Sequence, residues 1–213
     1  MNENGVTIYY QGNTNISIDA IPGHFVTSHS HINYYIDITS MKHRHMMAMD
    51  AAAEMAKRYE MNTLVNTIVC MDGSETIGSY LAQELSKPNV HSVNSNKNIY
   101  LVTPEYNSNG QMLFRDNLQP MISGKNVLIL IASITTGKTM HRTLECVRYY
   151  DGRVAGISAI FSAIPEIEGV EIHPLFTRED IPGYSTYSFR DCPKCKAGEK
   201  IDALANSFGY SKI

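Results

Sequence analysis

The chain has 213 residues, 43% hydrophobic and 18% charged, with a formal charge of −3. That composition suits one globular domain with a sizeable core and excludes a disordered chain. It gives no electrostatic footprint for nucleic acid, and no apolar run nears the ~20 residues that span a bilayer. The first ten residues lack the basic and apolar regions of a secretory signal, and four cysteines make no disulfide framework at this size. A cytoplasmic protein that binds neither nucleic acid nor membrane is the expectation.

Residues 1–45 read as short extended segments. VTIYY and NYYIDI carry β-branched and aromatic residues, and QGNTN and IPGH mark turns between them. From Met46 to Tyr59 the composition changes to Ala, Met, Glu and Lys, which predicts a helix. TLVNTIVC is a short apolar strand ending at MDGSE, and TIGSYLAQEL is a helix that stops before Pro88. NIYLVT is a second strand, followed by the polar stretch PEYNSNGQ. NVLILIA is apolar enough to be covered on both faces, as in a parallel sheet. The turn ITTGKT, the helix MHRTLECVRYY and the strands VAGISAIF and VEIHPLF follow. Alternating strands and helices predict an α/β fold with a central parallel sheet flanked by helices. Ligands in such sheets bind at the carboxyl ends of the strands, where MDGSE, PEYNSNGQ and SITTGKT would lie.

The segment Asn126–Thr139 carries the most chemistry. A buried strand enters a loop with Thr135, Thr136, Gly137, Lys138 and Thr139, and a helix follows. A helix N-terminus offers unpaired N–H groups and a positive dipole end to a phosphate. Gly137 would let the backbone approach the ligand, and the threonine hydroxyls add donors. A capped turn without a ligand is the plainer alternative. Ala132–Thr139 is one residue from the pattern G-x-x-x-x-G-K-[ST], in which Lys138 would reach terminal phosphates and Thr139 would hold Mg²⁺. VAGISAIF supplies no acidic residue for that metal.

The loop more closely resembles the signature of type I phosphoribosyltransferases, and orotate phosphoribosyltransferases in particular. The resemblance extends in order along most of the chain. Phe25, Ser28, Tyr34, Tyr35 and Asp37 match an N-terminal substrate segment, and Asp72, Gly73 and Ser74 match a pyrophosphate loop. LVTPEYNSNG falls on a flexible catalytic loop, and FRDCPKCKAGEK on a C-terminal tail of longer members. The resemblance implies one domain: a hood segment (1–45), an α/β core (46–176) and a tail (177–213) that completes the hood. Ser133 and Thr135–Thr139 would bind the 5-phosphate of phosphoribosyl pyrophosphate or a nucleoside 5′-monophosphate, and Asp72–Ser74 the pyrophosphate. Phe25, Ser28, His29, His31, Tyr34 and Tyr35 would face the base. Mg²⁺ as cofactor and a homodimer are also implied.

The chain departs from that pattern at the residues that carry the chemistry. Ile131 and Ala132 stand where an acid pair grips the ribose hydroxyls. Thr103, Pro104, Asn107 and Asn109 replace the flexible loop's Arg, two Lys and His, while His29, Ser30 and Ile32 depart from the substrate segment. Two functions are therefore expected: transfer of phosphoribose to a nucleobase with weakened activity, or non-catalytic, regulatory binding of a nucleotide or sugar phosphate. Arg44, Arg115 and Arg142 are further basic candidates, with Asp116 beside the second.

Two other patterns invite a metal. His29-x-His31 and His43-x-His45 would each share a strand face. Cys192-x-x-Cys195 is half of a tetrahedral zinc site, and the chain has no second such pair. Surface or site-lining histidines and a structural tail motif are the plainer readings, so no metal ligand is assigned from sequence.

Overall fold

The structure, a computed structural model, describes residues 5–213; residues 1–4 of the hood segment lie outside them. Strands β1 (Val6–Tyr10) and β2 (Asn13–Val26) form a hairpin, and β3 (His31–Asp37) pairs antiparallel with β2. β2 runs through IPGH, the stretch read as a turn. Its register shifts between Pro22 and Phe25, a bulge that admits a proline because the residue need not donate to the ladder. Two helices follow, α1 (Thr39–His43) and α2 (His45–Ala56).

The core then alternates strand and helix, as the sequence predicts. Its elements are β4 (Thr67–Cys70), α3 (Glu75–Ser86), β5 (Tyr100–Val102), a small hairpin of β6 (Glu105–Tyr106) and β7 (Met112–Leu113), and β8 (Asn126–Ile134). After them come α4 (Lys138–Tyr149), β9 (Arg153–Ser162), β10 (Glu166–Ile167) and β11 (Val170–Thr177). The sheet order is β10-β11-β9-β8-β4-β5, parallel from β11 to β5 with β10 antiparallel at the edge. Side chains of β8 alternate between two apolar layers. Leu128, Leu130 and Ala132 pack with residues of α2, α3 and the first sheet, while Val127, Ile129 and Ile131 pack with Met140, Leu144 and Val147 of α4. This explains why β8 is apolar at successive positions: both of its faces are covered.

The rest of the chain returns to the N-terminal sheet. β12 (Thr186–Tyr187) pairs with β3, a short helix α5 (Pro193–Lys196) follows, and β13 (Ala203–Asn206) with β14 (Gly209–Lys212) forms a hairpin. β13 lies parallel to β2, giving the order β12-β3-β2-β13-β14 with β1 also on β2. Among the described residues, no helix is long and apolar enough to cross a membrane.

Candidate functional site at the sheet switch point

The parallel strands occur in the chain as β4, β5, β8, β9 and β11 but lie in the order β5-β4-β8-β9-β11. The direction of winding therefore reverses between β4 and β8, and the loops leaving these two strands flank a crevice. A cleft opens there, roofed by the N-terminal sheet and its C-terminal hairpin. Its floor is the β8–α4 loop: Ser133, Thr135, Thr136, Gly137, Lys138 and Thr139 all line it. Its wall includes Asp72 from the β4–α3 turn, and its roof includes Ser28, His29, Tyr35 and Ser207.

Gly137 is the N-cap of α4 at φ +78°, and no side chain caps the helix. The first amides of α4 are thus left for a ligand at the positive end of its dipole. The reason for glycine differs from the one read in the sequence. A Cβ here would lie 2.9 Å from Ile167 Cδ1 and 3.0 Å from Ile164 Cδ1. The constraint is a left-handed turn packed on two isoleucines, rather than room for a ligand.

Thr135 hydrogen-bonds with Tyr184, whose phenol burial pushes up to about 12, so Tyr184 is a neutral partner. Two cations stand near the same end of the cleft. After burial, the charges of Lys138 and Arg142 lower the pKa of His29, which favours its neutral form.

The β4–α3 turn is left-handed at both Asp72 (φ 57°) and Gly73 (φ 76°). Ser74 is buried with its hydroxyl donating to Leu130 O at 3.2 Å, so it ties the turn to β8. Of the three turn residues, Asp72 alone reaches the cleft lining; Gly73 and Ser74 do not. Asp72 has two partners the sequence did not reveal. Lys42, buried, donates to Asp72 O at 3.2 Å and Ser207 O at 2.7 Å. Ser207 also hydrogen-bonds with the Asp72 carboxyl, whose pKa burial nevertheless raises. Nothing local marks Lys42 in SMKHRH, and Ser207 lies 165 residues further along.

The base-side group divides. Ser28, His29 and Tyr35 line the cleft, while Phe25, Tyr34 and His31 do not. Phe25 packs on Tyr35 and Tyr210, with ring centroids 5.8 Å away in each case. His31 is a correction. Residues 27–30 form a turn closed by Thr27 N–H donating to Ser30 O at 2.8 Å, so strand alternation does not link His29 with His31. His31 instead meets His24 and Cys195, at 2.9 and 3.3 Å. His43 and His45 lie exposed on α1 and α2, not on a strand.

The departures from the catalytic pattern are structural as well. Ile131 and Ala132 are buried in the two apolar layers. Thr103 donates to Glu75 at 3.2 Å, and Asn107 donates to Gln111 at 2.8 Å inside the β6–β7 hairpin. Arg115, a candidate replacement charge, is paired with Glu105 at 2.7 Å. Among the described residues, Asp72 is then the one carboxylate lining the cleft, where the resemblance calls for two more at Ile131 and Ala132. This donor set does not make a protein-held Mg²⁺ site.

No protein-family model matches the sequence, and no curated protein matches it. Solved structures do match the fold. Orotate phosphoribosyltransferase from Mycobacterium tuberculosis H37Rv, in complex with Fe(III) dicitrate, superposes with a TM-score of 0.53 at 14% identity over 78% of this chain and 93% of its own. Adenine phosphoribosyltransferase from Thermoanaerobacter pseudethanolicus gives 0.51 at 15% over 81% and 94%. A phosphoribosyltransferase from Corynebacterium diphtheriae gives 0.50 at 15% over 76% and 90%. The chain has the fold of the type I phosphoribosyltransferases.

Proposed function

Starting from that fold, we propose that the cleft binds a 5-phosphoribosyl ligand, either phosphoribosyl pyrophosphate or a nucleoside 5′-monophosphate. The chain would act in nucleotide metabolism as an orotate phosphoribosyltransferase-like protein with attenuated transfer. The observation that carries this reading is the uncapped N-terminus of α4, set at the switch point with Ser133 and Thr135–Thr139 around it. The 5-phosphate would sit on the α4 amides and threonine hydroxyls, with Lys138 and Arg142 supplying positive potential. The ribose and base would extend toward Asp72, Ser28, His29 and Tyr35. Any Mg²⁺ would arrive with the diphosphate, since the described residues of the cleft supply no carboxylate pair for it.

Attenuation follows from charge. Losing one stabilising donor at a developing charge costs about 10²–10³ in rate, and here both the acid pair and the basic loop are replaced. A second reading, a non-catalytic binder with a regulatory role, is favoured by the burial of Ile131 and Ala132. A homodimer in the cytoplasm belongs to the first reading, and light scattering on the purified chain checks the assembly.

Isothermal titration calorimetry tests the reading with Mg²⁺–phosphoribosyl pyrophosphate, orotidine 5′-monophosphate and purine 5′-monophosphates. At least one should bind, and Thr136→Glu, which sets a carboxylate in the cradle, should weaken it by at least ~10-fold, about 1.4 kcal/mol. Pyrophosphate-sugar binding with slow turnover supports the transferase, and monophosphate binding alone supports the binder. Absence of binding by all of them overturns both.

A further inference from the structure

The Cys-x-x-Cys motif of the tail finds its missing half in the N-terminal sheet. His24 of β2 and His31 of β3 meet Cys192 and Cys195, and the four ligand atoms lie within 4.8 Å of one another. His24 Nε2 is 3.5 Å from each of Cys192 Sγ and Cys195 Sγ, and 2.9 Å from His31 Nδ1. Cys195 Sγ is 3.3 Å from His31 Nδ1. A tetrahedral zinc with Zn–S near ~2.3 Å and Zn–N near ~2.0–2.1 Å would place N···S pairs ~3.6 Å apart and the N···N pair ~3.3 Å apart. The three N···S separations fit that figure within a few tenths of an ångström, and the N···N edge has only to open slightly.

Hydrogen bonding alone accounts poorly for this cluster. His24 Nδ1 lies 3.1 Å from Lys200 O, a carbonyl that can only accept, so that nitrogen carries the proton. In the neutral ring, Nε2 then has a single in-plane lone pair, yet three polar atoms crowd around it. One lone pair cannot accept from all three. A cation at the centre of the four atoms resolves the crowding, with each atom pointing a lone pair inward. The bond from His24 Nδ1 to a backbone carbonyl is also the outer contact that usually fixes the tautomer of a metal-ligating histidine.

We propose that His24, His31, Cys192 and Cys195 form a structural Zn²⁺ site that fastens the C-terminal tail to the N-terminal sheet. Two thiolates and two imidazoles in a tetrahedral arrangement suit Zn²⁺. Four protein ligands leave no open position for a substrate, so the role is structural rather than catalytic. Three of the four residues are buried, and ligands far apart in sequence meet in one place. Its cysteine half lies between β12 and β13 in the chain, on the path to Ser207 at the cleft. It does not depend on what the cleft binds.

The test is elemental analysis of the purified full-length chain by plasma mass spectrometry, with Cys192→Ser/Cys195→Ser beside it. About one zinc per chain is expected in the wild type and under about a tenth in the variant, because two neutral imidazoles alone hold the ion far less tightly. Cys70→Ser/Cys146→Ser should keep its zinc. If the tail variant fails to fold, the wild type answers alone: stripped with chelator and reloaded with Co²⁺, it should show tetrahedral d–d bands and a thiolate-to-cobalt charge-transfer band. Wild-type protein without zinc that gives no such spectrum overturns the proposal. So does a Cys192–Cys195 disulfide, or iron in place of zinc.

Discussion

Replacing Gly137 by alanine separates the two roles a glycine could have at the mouth of α4. At φ +78° an L-residue costs about 1–2 kcal/mol. The new Cβ would meet Ile167 Cδ1 at 2.9 Å and Ile164 Cδ1 at 3.0 Å, so both methyls must move. Overpacking of this kind adds about 1 kcal/mol. Alanine also stiffens the unfolded chain, which offsets about 0.4–1 kcal/mol. The net expectation is a loss of about 2 kcal/mol, read as a lower urea midpoint, and a fall in Tm of about 4–8 °C at this chain length. Gly137→Asn carries the same Cβ but tolerates the left-handed region better, so it should lose less. Because the Cβ points at the isoleucines, folded Gly137→Ala should bind its phosphate ligand within about threefold of wild type, under ~0.7 kcal/mol. Undiminished stability together with abolished binding would refute the argument, since the glycine would then face the ligand.

Asp72→Asn tests the buried carboxyl by urea denaturation across pH. Its folded pKa is raised above the usual 3.8, first by burial and against the pull of Ser207 and Lys42. That contribution to stability is fully present below pH 3.8 and is lost as pH rises through the folded value. The variant should therefore gain on wild type as pH rises from 3.5 to neutrality, and a constant difference would count against the burial. Arg142→Ala removes one of the charges that lower the pKa of His29. Its imidazole should titrate closer to 6.5 by NMR, with the larger effect of burial remaining; an unmoved titration would place Arg142 elsewhere.

The β8–loop–α4 unit was legible because its signal is local. An apolar run of strand length, a threonine-rich turn and a helical pattern follow one another within 24 residues, Asn126–Tyr149. The α/β alternation was legible for the same reason. IPGH misled because proline and glycine normally punctuate, whereas here they sit in a bulge inside β2. His31 misled because period-two reasoning holds only within a strand, and the strand begins at His31 itself. Lys42, Ser207 and the histidine half of the Cys/His cluster could not be read, since the residues they meet lie 30 to 171 residues away and no spacing rule joins them; only the Cys-x-x-Cys half was visible.

The parallel pairing of β13 with β2 also sets an order of events during synthesis. Strands β1–β3 leave the ribosome first, but β2 gains its last neighbour, at Phe25 and Val26, only when residues 203–206 emerge. At 5–20 residues per second that interval is on the order of 10–30 s. Meanwhile the Phe25–Val26 end of β2, which β1 does not reach, is a short unpaired template open to other strands. A nascent chain stalled before residue 203 would carry a finished α/β core beside a sticky strand end, open to mispairing until the tail arrives.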